Sequence, residues 1–279
     1  MFEVIFLFVL ALIWIIFATV QDIRKREVAN WLSFSLIIFA LGFRFFYSLF
    51  SDTGFDFFYQ GLIGFGIFLI LGNLLYYGKM FAGGDAKLMI ALGAVLPFSV
   101  IFNENLKIFV LFFVLFLLVG AVYSILASVY LSLKSFKRFK REFSKQFRKN
   151  KKLSLLVIFV ALVLVAFGFL DNLFFILGSI VFVLPYLYVY VKSVDEACMV
   201  KRVMTSKLTE GDWLYKDLKV GKRTIKAKWD GLSKAEIKLI QRKLNFVTIR
   251  NGIPFTPVFL ISFVVLFYLW KLGLWDSFW

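Results

Sequence analysis

"FEVIFLFVLALIWIIFATVQDIRKREVAN", residues 2–30, sets the class of this protein. Residues 2–20 carry a single charge, Glu3. They form an apolar run of the length needed to cross a hydrocarbon layer of about 30 Å. Arg24, Lys25 and Arg26 follow this run rather than precede it, and no small-x-small cleavage site is visible. The run therefore reads as a retained membrane helix with its N-terminus outside, not as a signal peptide.

The pattern repeats along the 279 residues, 61% of which are hydrophobic, for a mean hydropathy of +0.86. One soluble core cannot hide so much apolar surface. The expected fold is an all-α multi-pass membrane protein with eight spans, at 2–20, 31–50, 58–77, 86–102, 107–133, 153–170, 173–192 and 256–275. A small cytoplasmic α+β segment precedes the last span.

Loop charge sets the orientation. Basic "QDIRKREVAN", "YYGKMFAGGDAK" and "LKSFKRFKREFSKQFRKNKK" alternate with the acidic or neutral "SDTGFDF", "NENLK" and "LDNL". Eight spans with both termini outside satisfy this alternation. The net charge of +16 then belongs to cytoplasmic loops and calls for no nucleic-acid partner. Phe136, Phe139, Phe143 and Phe147 recur at helical spacing within the most basic stretch. That pattern describes a helix lying on the inner membrane surface, its cations toward anionic lipids.

The expected division is a membrane core at 1–133, a basic amphipathic helix at 134–152, a helical hairpin at 153–192, a small cytoplasmic segment at 193–255 and a C-terminal span at 256–279. Within 193–255, "VGKRTIKAKW" reads as a short strand pair and "GLSKAEIKLIQRKL" as a helix opened by a Ser233–Glu236 capping box. Gly61, Gly64, Gly66 and Gly72 in the third span allow close helix packing. Arg44 and Lys271, near the outer ends of their spans, are expected to snorkel.

The chain has no histidine and a single cysteine, Cys198. Ser-His and Cys-His nucleophilic sites and HExxH zinc sites are therefore unavailable, and no metal site or cofactor is expected. Chemistry, if any, falls to carboxylates or a Ser-Lys pair, and no Ser-Lys pair stands out at the membrane border. Sorted by side of the membrane, three acids lie by the inner ends of spans: Asp22, Glu27 and Asp85. Asp22 closes the first span and Asp85 opens the fourth, so the topology puts both at one face. Either alone is explained without function, Asp22 as a loop carboxylate beside Arg24 or Arg26 and Asp85 as a helix cap. Together, with Gly83 and Gly84 leaving room for a peptide backbone, they match what aspartic proteolysis requires. One ionised carboxylate takes a proton from water and one protonated carboxyl donates to the scissile carbonyl oxygen. The helix dipoles favour Asp85, at an N-terminus, as the anion and Asp22, at a C-terminus, as the acid.

"QDIRKREVANWL" resembles the first signature of type IV prepilin peptidases, an Asp followed by basic residues, an acid and an Asn. "AGGDAKLMIALGAVLP" resembles their second, GxGD followed by a Lys, here Lys87, and a helix. "LTEGDWL" and "IRNGIPFTPVFLI" look like the C-terminal part of the archaeal branch, which includes preflagellin peptidases. Ala82 stands where that motif has its first glycine. The resemblance implies that Asp22 and Asp85 are the catalytic pair of a membrane aspartic endopeptidase acting at the cytoplasmic face of an archaeal cell membrane. It implies a prepilin or preflagellin substrate with a short basic leader. A chain of charge +16 repels such a leader, so the local acids Glu27, Glu210 and Asp212 are the candidates to receive it. The cysteine pairs of the bacterial enzymes that also methylate their product are absent.

Two other readings compete. A presenilin-like or signal-peptide-peptidase-like protease places its first aspartate inside a helix, typically after a tyrosine, whereas Asp22 follows Gln21 and borders a basic loop. A proton- or cation-coupled transporter calls for acids near the midplane and broken helices in symmetric halves, and no repeat is visible.

Overall fold

The apolar runs fold as helices in the computed structural model, which describes residues 2–51, 54–221 and 223–279. Asp52, one of the outer-loop acids, lies outside the described residues. The chain forms two units: Met1–Ser124 with Ile253–Trp279, and Ile125–Gly252.

The first unit contains α1 (Phe2–Lys25), α2 (Asn30–Phe50), α3 (Asp56–Tyr77), α4 (Gly83–Gly93), the first part of α5 (Phe102–Lys134), and α10 (Thr256–Lys271). Its core gathers the stripes these helices turn inward, including Leu7, Ile15, Leu36, Phe68, Met89, Phe112, Phe259 and Phe263. The close approaches expected of the third span are present at three of its four glycines. A Cβ on Gly64 would lie 2.4 Å from the Gly93 carbonyl oxygen, and one on Gly72 would lie 2.6 Å from Ile90. On Gly61 it would meet the Arg44 side chain at 2.4 Å, whereas Gly66 faces open space.

Arg44 corrects an expectation. It does not snorkel; it is fully buried. Its guanidinium donates to the carbonyl oxygens of Ala94 at 2.9 Å, Phe57 at 3.0 Å, Val95 at 3.1 Å and also Pro97, and it lies 4.3 Å from the Phe57 ring centroid. The reason is the short α4. Pro97 cannot extend a helix, because it has no N–H and its ring clashes with the carbonyl one turn back. The chain therefore leaves the helix after Gly93 with carbonyls that need donors. Arg44 supplies them from α2, and Gly61 leaves the space for its stem.

The second unit contains α6 (Phe136–Lys149), α7 (Lys151–Phe167), α8 (Asn172–Val194) and a small α+β part. In that part β1 (Val200–Met204) and β2 (Trp213–Leu214) both pair antiparallel with β5 (Phe246–Arg250), while β3 (Leu218–Val220) and β4 (Arg223–Ile225) form a hairpin. Helix α9 (Lys234–Lys243) opens with the Ser233–Glu236 capping box. It turns Ile237 and Ile240 onto Val220, Ile225, Val247 and Ile249. The hairpin and the capped helix match the sequence reading. The three-stranded sheet does not appear in it, since β1 and β5 are short and lie far apart along the chain.

Among the described residues, five helices are long and apolar enough to cross a membrane: α1, α2, α3, α5, and α8 with the π-helical turn that follows it. They become six if α6 and α7, bent by 73°, count as one. The protein is a helical membrane protein. By length, α4 with 11 residues and α10 with 16 fall short of the spans expected at 86–102 and 256–275.

Candidate active site

Asp22 is on the buried face of α1 because of helical periodicity. It continues the stripe Val4, Leu7, Ala11, Ile15 and Ala18. Only 8% of its surface is exposed. The helix ends just beyond it: Arg26 adopts a left-handed backbone at φ 59° and its N–H reaches the Asp22 carbonyl at 2.8 Å, an αL termination.

The Asp22 carboxylate accepts from the other end of the chain. The Thr256 backbone N–H donates to its Oδ2 at 3.1 Å, and the Thr256 hydroxyl donates to the same oxygen. Thr256 is the first residue of α10, and Pro257 follows it. The first N–H groups of a helix have no partner within it, so Asp22 caps a helix to which it is not local. Tyr123 of α5 holds the approach to that helix, donating from its hydroxyl to the Pro254 carbonyl at 2.8 Å.

Asp85 stands in the first turn of α4. Ala82, the N-cap, has φ −70° and ψ 158°, an extended conformation open to any L-residue. The missing motif glycine therefore costs the turn nothing. Gly84 is tighter: a Cβ there would lie 3.3 Å from Val28 on the α1–α2 loop, whereas Gly83 has ordinary room beside Tyr76. Lys87 donates to Asn30 Oδ1 at 2.6 Å. The two signature stretches are thus clamped together by Gly84 against Val28 and by Lys87 on Asn30, which fixes the start of α4 beside the end of α1.

Asp85 keeps part of its surface open although protein crowds most of it. Desolvation and the nearby Asp22 carboxylate both oppose a negative charge on it, and the Ala82 backbone N–H partly offsets them. The helix N-terminus favours the Asp85 anion by about 0.3–1 kcal/mol. A hydrogen bond to a charged group is worth about 1.5–3 kcal/mol, and Asp22 accepts two. Local bonding thus favours charge on Asp22, opposite to the dipole expectation from the sequence.

The expected leader-receiving acids differ in setting. Glu27 is exposed on the α1–α2 loop. Glu210 and Asp212 belong to the second unit, where Glu210 lies 3.4 Å from Lys234 and Asp212 accepts the Thr209 N–H at 2.8 Å. Thr256 and Tyr123 were not singled out as site residues in the sequence. The only signal for Thr256 is the "IPFTP" element, which marks a place but no partner.

Residues 9–125 match the model of the type IV leader peptidase family. That similarity covers less than half of the chain. The leader-peptidase region holds both aspartates, the glycine pair, Lys87 and Tyr123, and it ends before Thr256. The chain is 31% identical over 90 residues to a preflagellin peptidase of Methanococcus maripaludis. It is 30% identical over 92 residues to a preflagellin peptidase of Methanocaldococcus jannaschii. Each match covers 32% of this chain and 38% of the relative. No solved structure matches the chain.

Proposed function

We propose that this protein is a membrane aspartic endopeptidase that removes short basic leaders from prepilin-like or preflagellin precursors. What supports the reading is that Asp22 lies near enough for its charge to act on Asp85, and that both fall within the residues matching the type IV leader peptidase model. In the reaction one carboxylate takes a proton from water while the water oxygen bonds to the scissile carbonyl carbon. The other carboxyl gives its proton to the carbonyl oxygen, forming a gem-diol. The first group then protonates the amine nitrogen as the C–N bond breaks, and the second recovers its proton as the new carboxyl forms. No metal or cofactor enters.

Loop charge supports a cell-membrane enzyme with its site at the cytoplasmic face and anionic lipids beneath α6, and the preflagellin peptidase relatives support an archaeal one. There a leader kept inside by its own charge presents its junction. Eight crossings follow if α4 with its extended continuation, α7 and α10 each cross. The division at 1–133, 134–152, 153–192, 193–255 and 256–279 goes with them. Glu27 is the acid best exposed to receive a basic leader, since Glu210 and Asp212 already have local partners.

The test is cleavage of a tagged prepilin and preflagellin panel by membranes carrying the protein. Wild type is expected to shorten at least one substrate, and Asp22→Asn and Asp85→Asn each to lower the rate by about a thousandfold or more. An intact panel with wild type, or cleavage by both variants, sinks the reading.

A further inference from the structure

We propose that Thr256 is a positioning residue that holds Asp22 as the carboxylate of the pair and so leaves the proton on Asp85. The inference rests on the peptidase reading for its catalytic meaning, but its geometry is independent of substrate. Thr256 directs its backbone N–H and its hydroxyl onto one oxygen, Asp22 Oδ2. A backbone N–H can only donate, so this oxygen is fixed as an acceptor. The N-terminus of the 16-residue α10 also points at Asp22, which adds a favourable field for an anion.

The groups around Asp22 pull in different directions, and Thr256 tips the balance toward the anion. From α4, Asp85 repels it, and two close carboxylates cannot both ionise freely. From the turn after α1, Arg26 is close enough that it and Asp22 both act on Tyr123 of α5. Tyr123 keeps its own proton on the Pro254 carbonyl, two residues before Thr256. It sets the position of the donor rather than competing for the proton. The pair is therefore asymmetric by construction: Asp22 is the general base toward water, and Asp85 the acid toward the carbonyl oxygen. One consequence is that catalysis depends on α10, a helix outside the leader-peptidase region.

The experiment uses full-length protein in membranes and a hydrophobic carbodiimide, which modifies protonated carboxyls, with peptide mass spectrometry to locate the label. In wild type near neutral pH, labelling of Asp85 is expected to exceed that of Asp22 severalfold. Thr256→Val removes the hydroxyl and should shrink or reverse that ratio, while Thr256→Ser should preserve it. With a cleavable substrate, Thr256→Val should lower kcat about tenfold with KM within about twofold. Asp22 labelled as strongly as Asp85 in wild type overturns the assignment. So does a ratio unchanged by Thr256→Val. If Thr256→Val does not fold, the wild-type ratio and the Thr256→Ser ratio still decide. If wild type cuts nothing, the peptidase reading fails while the labelling result for Thr256 stands.

Discussion

The two units treat charge in different ways. In the first, Asp22 and Arg44 are buried, and their hydrogen bonds run to a threonine and to backbone carbonyls. In the second, charges face one another at partly open sites: Arg250 lies 3.1 Å from Asp195 and 4.0 Å from Glu196, and Glu196 also accepts from the Tyr215 hydroxyl at 2.7 Å. The difference teaches what each charge is for. A charge bonded to neutral dipoles keeps its field and is available for chemistry or for holding backbone. A charge bonded to its opposite cancels much of that field, and water screens the rest.

Three substitutions sharpen this contrast. The largest effect is expected from Arg44→Met, which leaves the carbonyls of Phe57, Ala94, Val95 and Pro97 without their donor. The loss should be about 3–5 kcal/mol, read as a fall in the thermal midpoint of the detergent-solubilised protein. A change below about 1 kcal/mol would place Arg44 in the class of surface charges and remove the contrast.

Ser233→Ala comes next, at about 1 kcal/mol for a lost N-cap. This one has a pH signature. The Ser233 backbone N–H, its largest influence, and the Ser233 hydroxyl both hold the Glu236 carboxyl below its ordinary value of 4.5, and the substitution removes the hydroxyl's share. A carboxyl depressed in the folded state contributes stability that is full above its ordinary value and fades as pH falls through the lower folded value. Losing the cap should therefore cost most near neutrality, and the gap between wild type and variant should narrow on acidification below about pH 4. Thermal melts at several pH values measure it, and a gap that widens in acid contradicts the assignment.

Arg250→Gln should have the smallest effect, within about 1 kcal/mol and smaller still in high salt. A loss comparable to that of Arg44→Met, unmoved by salt, would show that the second unit also relies on a desolvated charge.

Much of this was legible in the sequence. Apolar length and loop charge gave helices α1, α2, α3, α5 and α8 close to their ends. The Ser233–Glu236 spacing gave α9, and glycines among bulky residues marked three close approaches. The short α4 is not legible there: the run 86–102 is apolar enough to span, yet the helix ends at Gly93 ahead of Pro97, and Arg44 satisfies the carbonyls that follow. Arg44 was misread for the same reason, since a lone arginine in an apolar run has the same local sequence whether it reaches water or a cluster of carbonyls.

The sequence by itself determined which segments leave water, because burial of apolar area is additive along the chain and its period selects the helix. It also marked Asp22 and Asp85 as candidates, since carboxylates at apolar borders are rare and no histidine competes with them. Only the tertiary structure decided how that pair is polarised. The donor that reaches Asp22 lies 234 residues away, on a helix whose first N–H had no partner of its own. Unpaired helix ends are bonded wherever packing brings a partner, and packing at that separation leaves no pattern in a single chain read residue by residue.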